Sequence, residues 1–211
     1  MKIKIIRLIG GVLIISGLFI VLCSFALNVR QNSMKRAAIT EFNETIIRPG
    51  NNVSEAEDVA LSEQAESEPV AEEGVAEVKD GDLLYILRIP SIDSENPVRE
   101  GVSQGVLADA LGHEPETALI GEKGNCVIAG HRNYSFGQFF NRLDEVKIGD
   151  MIYVDTASET FFYAVTDIKV VEPEDLSVLE QTDTETLTLY TCTPIYLATH
   201  RLVIVAERTE E

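Results

Sequence analysis

Leu187-Thr188-Leu189-Tyr190-Thr191-Cys192-Thr193-Pro194 alternates leucine with threonine and tyrosine, a period of two that predicts a strand with one face buried. Proline cannot donate to a continuing ladder, so the strand is expected to stop there. A cysteine at that end offers its thiol to a cleft while the strand behind it stays rigid. Downstream, Thr199-His200-Arg201-Leu202-Val203-Ile204-Val205-Ala206 begins a second apolar strand with a guanidinium at its mouth. Upstream, Cys126-Val127-Ile128-Ala129-Gly130-His131-Arg132 is a third strand, and it runs into a histidine. Cys192, His131 and Arg201 are the residue types a thiol nucleophile needs to act on a carbonyl: nucleophile, proton carrier and oxyanion donor.

At these residues the sequence resembles the sortases, cysteine transpeptidases of Gram-positive cell envelopes. The T-L-x-T-C motif stands as Thr188-Leu189-Tyr190-Thr191-Cys192, the histidine motif as Ala129-Gly130-His131-Arg132, and the arginine motif as Thr199-His200-Arg201-Leu202. Together and in this order the motifs are specific, although each alone is weak. The resemblance covers roughly 82 to 207. It implies a catalytic set of His131, Cys192 and Arg201. Cys192 forms a thioester with the substrate, His131 moves the proton, and Arg201 holds the oxyanion with the backbone amide after Cys192 beside it. The implied substrates are secreted proteins bearing a Leu-Pro-x-Thr-Gly-like sorting signal. The implied acceptor is an amine of a peptidoglycan precursor or a pilin. The family's calcium-binding acids have no match here, so neither metal nor cofactor is expected.

Gly130-His131-Arg132 and the lack of a second apolar segment after Arg201 look most like class D sortases. Cys192-Thr193-Pro194 followed by Thr199-His200-Arg201-Leu202 resembles the pilin-polymerising class C instead. The class C lid, an Asp-Pro-aromatic sequence before the barrel, has no counterpart. A cysteine peptidase with water as acceptor would use the same residues. A non-catalytic barrel that binds envelope peptides is disfavoured by three groups in motif position, and the His-Gly-Cys signature of L,D-transpeptidases is missing.

The other candidates have simpler explanations. His113 falls in a Gly112-His113-Glu114-Pro115 loop, where a surface role accounts for it. Neighbours on a strand face opposite sides, so if Arg201 faces the cleft, His200 faces away, and Arg132 likewise turns off the side of His131. Cys126 reads as a small buried core residue. It is the one cysteine that could pair with Cys192, and two free thiols are expected because a disulfide would consume the nucleophile.

The 211 residues allow one domain with appendages or two small domains, and the formal net charge of −18 argues against nucleic acid as a partner. After Lys2, Lys4 and Arg7, the stretch 8–27 carries no charge; about 20 residues make about 30 Å of helix, enough to cross a bilayer. The positive flank puts residues 1–7 in the cytoplasm and everything after 28 outside, a single-pass protein of the cell membrane. A cleaved leader ending near Ser24-Phe25-Ala26 is the rival reading; the length of the apolar run favours a retained anchor. Residues 30–47 continue as an amphipathic helix until Pro49-Gly50-Asn51-Asn52. From Val53 to Asp80 ten acidic residues face only Lys79. Such a segment reads as a self-repelling linker, so residues 28–81 form an extracytoplasmic acidic linker ahead of a catalytic domain at 82–211.

Within that domain the predicted strands are 83–89, 96–102, 126–130, 151–155, 160–171, 186–192 and 201–207, with helical pieces at 104–111, 136–143 and 174–179. Gly121 to Asn125 reads as a turn. Many short strands with turn signals and brief helices predict an all-β, closed or nearly closed barrel. The resemblance supplies the strand number, eight.

Overall fold

The structure, a computed structural model, describes residues 2–47, 78–132 and 139–210. Helix α1 (Lys2–Ile47) is unbroken over 46 residues. Its apolar part leaves large side chains in the open, Ile14 at 73% and Phe25 at 69% exposure. The length and composition of this part suit a bilayer crossing. Further on, α1 packs on the first two strands of the barrel and on a short helix, burying Ala38 and Phe42. The expected break at Pro49-Gly50 and nearly all of the acidic segment lie outside the described residues.

The rest is a barrel of eight strands: β1 (Leu83–Ile89), β2 (Ser94–Glu100), β3 (Leu111–His113), β4 (Gly124–Ala129), β5 (Met151–Asp155), β6 (Thr160–Val171), β7 (Glu185–Thr193) and β8 (His200–Thr209). It closes in the order β1-β2-β3-β4-β7-β8-β6-β5. β2 with β3 and β4 with β7 are parallel, and every other pair is antiparallel. Period-two leucines, isoleucines and valines fill the interior; Leu87, Leu111, Ile128, Leu187, Leu189 and Ile204 are all fully buried. Closure leaves no open sheet edge.

Three expectations change. The helix predicted over 104–111 is α2 (Gln104–Asp109), capped by Ser103, whose Oγ accepts from the Val106 N–H at 3.4 Å. Leu111 and Gly112, read as its end, instead form β3, a three-residue strand held by β2 on one side and β4 on the other. Gly124 and Asn125 belong to β4 rather than to a turn. Of the helix expected over 136–143, residues 133–138 lie outside the described residues, and Phe139 to Arg142 form turns leading into a single 3₁₀ turn, Leu143–Glu145. Phe140 and Leu143 still point inward, both fully buried.

Candidate active site

Alternation along β4, β7 and β8 builds the site. Cys126 and Ile128, Leu187 and Leu189, and Leu202 and Ile204 face the core. Their neighbours therefore face outward, which puts Ala129, Tyr190, Cys192 and Arg201 on one outer surface. Cys192 stands directly across from Arg201 in the β7–β8 register. His131 lies two residues past the end of β4, and two hydrogen bonds tie that end to β7. The Gly130 N–H donates to the Tyr190 carbonyl at 3.1 Å, and Thr191 Oγ1 donates to the Gly130 carbonyl at 2.7 Å. Gly130 is required by space: a Cβ there would come within 2.5 Å of Phe140 and 2.6 Å of Leu111.

A cleft of ≈ 320 Å³ lies over this surface, and Cys192, His131 and Arg201 all line it. Leu107 of α2 forms one wall. Pro173, Leu176, Val178 and Leu179, on the connection from β6 to β7, form another. Leu176–Leu179 is a 3₁₀ turn, started by Asp175, whose Oδ1 accepts from the Ser177 N–H at 3.0 Å. Hydrogen bonds from the Ser177 hydroxyl first and its N–H second hold the Asp175 carboxyl below its usual range. Arg201 spends one N–H on the carbonyl of His200 at 3.2 Å; among the described residues its other donors have no protein partner. A carboxylate also reaches the cleft. Glu114 accepts a hydrogen bond from the Tyr190 hydroxyl. Burial first, and the hydrogen bond to Glu114 second, push the Tyr190 phenol well up, so it stays a donor.

The remaining sequence candidates fall elsewhere. His200 turns away toward Glu172, Nε2 to Oε1 3.3 Å. Arg132 is not in the cleft; it reaches Thr193 Oγ1 at 3.1 Å and Asp144 at 2.8 Å. His113, expected on the surface, is buried at 2% exposure because β3 carries it inside; its Nδ1 lies 2.7 Å from Glu100 and its Nε2 3.1 Å from the Ala118 carbonyl. Cys126 is buried at 2% exposure, and burial pushes its thiol far up. It faces the core and Cys192 the cleft, so the two thiols cannot meet. Glu114 and the apolar wall are the parts that sequence reasoning missed. Tyr190 was within reach, since it shares a face with Cys192 at a spacing of two.

A closed mixed barrel with a thiol, an imidazole and a guanidinium along one cleft defines a class of cysteine-bearing β-barrels. The family model of the sortase domain matches residues 87–209, and the chain belongs to the sortase family, whose members are cysteine transpeptidases. Among curated relatives, Sortase SrtE1 of Streptomyces coelicolor is 32% identical over 62% of this chain and 42% of its own length. Sortase D of Bacillus subtilis is 32% identical over 54% of this chain and 56% of its own. The chain thus spans about half the length of these two relatives. Among solved structures, the sortase D5 transpeptidase of Clostridium perfringens superposes with a TM-score of 0.67 at 28% identity, over 84% of this chain and 99% of that one. Sortase C of the same organism, solved with a C-terminal cell wall sorting motif, gives 0.60 at 32%, over 64% and 75%.

Proposed function

We propose that this chain is a membrane-anchored transpeptidase that cleaves a Leu-Pro-x-Thr-Gly-like sorting signal and passes the new carboxyl end to an amine of the cell wall. The observation that carries the reading is the single cleft shared by Cys192, His131 and Arg201. The Cys192 sulfur attacks the scissile carbonyl carbon, and the carbonyl oxygen becomes an oxyanion facing the Arg201 guanidinium. The bond to nitrogen breaks as His131 gives its proton to the leaving amine, and a thioester remains. An incoming amine then attacks the thioester carbon, His131 takes its proton, and the sulfur leaves. Water in place of the amine turns the same cycle into peptide hydrolysis.

Class D is the better reading than the pilin-polymerising class C. The match to sortase D5 covers 99% of that chain, whereas the match to sortase C covers 75% of its chain. In this reading residues 8–27 cross the cell membrane once from a cytoplasmic N-terminus, residues 28–81 link, and 82–211 act outside.

The test is incubation of the full chain with a small library of sorting-signal peptides, with and without an added amine. Cleavage within the sorting motif with amine-dependent formation of a transfer product is expected. Cleavage with no transfer product at any amine concentration makes the chain a peptidase. Absence of cleavage across the library overturns the reading.

A further inference from the structure

The apolar wall opposite Cys192 is not part of the barrel sheet; it rides on the connection between β6 and β7. One buried side chain holds it down. Asn125 is 3% exposed and does not line the cleft. Its Nδ2 donates to the carbonyls of Val178 at 3.0 Å and Glu180 at 3.1 Å. These carbonyls flank Leu179, and Val178 and Leu179 both line the cleft. The Asn125 N–H also binds this connection, donating to Gln181 Oε1 at 3.2 Å. On the barrel side, Asn125 Oδ1 accepts from Thr188 Oγ1 at 2.8 Å. Thr188 is itself 3% exposed and sits on β7, four residues before Cys192.

Each of these contacts has a direction. Two carbonyls converge on one amide, which only an NH₂ group satisfies. The two carbonyls fix which end of the amide is the NH₂, and the Thr188 hydroxyl donates to the oxygen left facing it. A flipped amide would set its oxygen against two carbonyl oxygens and leave both carbonyls without a donor. The strand that carries the thiol therefore also fixes, through Thr188 and Asn125, where the opposite wall stands.

We propose that Asn125 is a positioning residue for substrate binding, holding the wall at Val178 and Leu179 at a set distance from Cys192 without touching the substrate. This rests on the reading of the cleft as a sorting-peptide site. It separates two parts of the machinery: Asn125 governs how the peptide is held, while His131 and Arg201 serve the reacting atoms.

The experiment uses the full chain, a cleavable sorting-signal peptide, and iodoacetamide as a probe of Cys192 too small to need the wall. The variants are Asn125→Ala, Asn125→Asp, which faces the two carbonyls with carboxylate oxygens, and Thr188→Val, which keeps shape and removes the hydroxyl. KM is expected to rise about tenfold or more for Asn125→Asp, where two buried carbonyls lose their donor, and severalfold for Thr188→Val, where Asn125 Oδ1 loses its own. The kcat should stay within about threefold of wild type, and the iodoacetamide rate should not change. An unaltered KM in the folded Thr188→Val chain overturns the proposal, and so does a parallel fall in kcat and alkylation rate, which would mark general damage. If the wild-type chain cleaves no sorting peptide while iodoacetamide still labels Cys192, the reading of the cleft fails first and the role of Asn125 falls with it.

Discussion

Cys126 and Cys192 belong to adjacent strands of one sheet, and their surroundings divide them. The buried thiol sits among core side chains, where a thiolate has neither water nor a cation, and its ionisation is pushed far up. The other stands half-buried across from Arg201. Replacing Cys192 with alanine should abolish cleavage and transfer, whereas Cys126→Ala should lower Tm and leave kcat/KM near wild type. Arg201→Lys is the sharper change. It keeps the charge but loses the planar fork, and losing one oxyanion donor lowers rate about 100- to 1,000-fold. Rates near wild type for Arg201→Lys, measured as kcat/KM on a cleavable peptide with folding checked by circular dichroism, would remove Arg201 from the reaction. That Cys192, His131 and Arg201 share one cleft was legible because alternation puts Tyr190 and Cys192 on one face and motif order points to the other two. Glu114 was not, because its approach to Tyr190 depends on which strand lies beside which.

At the scale of elements, the barrel is joined at its β1–β5 seam by a short register, Ile86 to Asp155, Leu87 to Val154 and Arg88 to Tyr153. A two-pronged ion pair fastens it: Arg88 Nε and Nη2 each donate to Asp155 at 2.7 Å. Thr160 at the head of β6 donates to the same carboxylate at 2.7 Å. Burial raises the Asp155 pKa, but the hydrogen bonds from Arg88 and Thr160 outweigh it, and the carboxyl ends below its usual range. A depressed carboxyl stabilises the fold above its unfolded pKa of about 4, and that contribution is lost as pH falls further. Asp155→Asn should therefore melt below wild type at neutral pH, and the gap in Tm should close on acidification below about pH 4. A gap independent of pH would show that the seam is held by packing alone. The ends of β1, β5 and β6 were readable from Pro90, from the Gly149-Asp150 turn and from the long apolar alternation after Thr160. β3 was hidden: three residues carry no period, and what makes Leu111–His113 a strand is the pair of neighbours that receive it.

For the whole molecule, α1 is more than a tether, since Ala38 and Phe42 bury against the barrel. A chain that begins at Val78 lacks this contact. It should still fold and cleave peptide at close to the full-length kcat/KM, because no residue of α1 lines the cleft, while its Tm should fall as the surface under Phe42 meets water. A folded but inactive short chain would mean that residues before 78 reach the substrate. The closed all-β architecture was readable from composition and turn spacing. The strand order was not, since two parallel pairings join segments far apart in sequence, and no local pattern announces a distant partner.

The β4–β7 pairing sets Gly124 across from Glu185 and Ala129 across from Tyr190. Each of those contacts closes a loop of about 60 residues, and such non-local closures make a barrel slow to form. β8 is the last strand in chain order, yet it lies between β7 and β6. A growing chain therefore has its thiol and its guanidinium nine residues apart on the β7–β8 hairpin, while β4 and β6 join that hairpin only through long-range pairing. Until β4 pairs with β7, that hairpin has no His131 beside it. In the proposed reading the hairpin alone is thus a poor catalyst, and reactivity arrives only with the completed barrel.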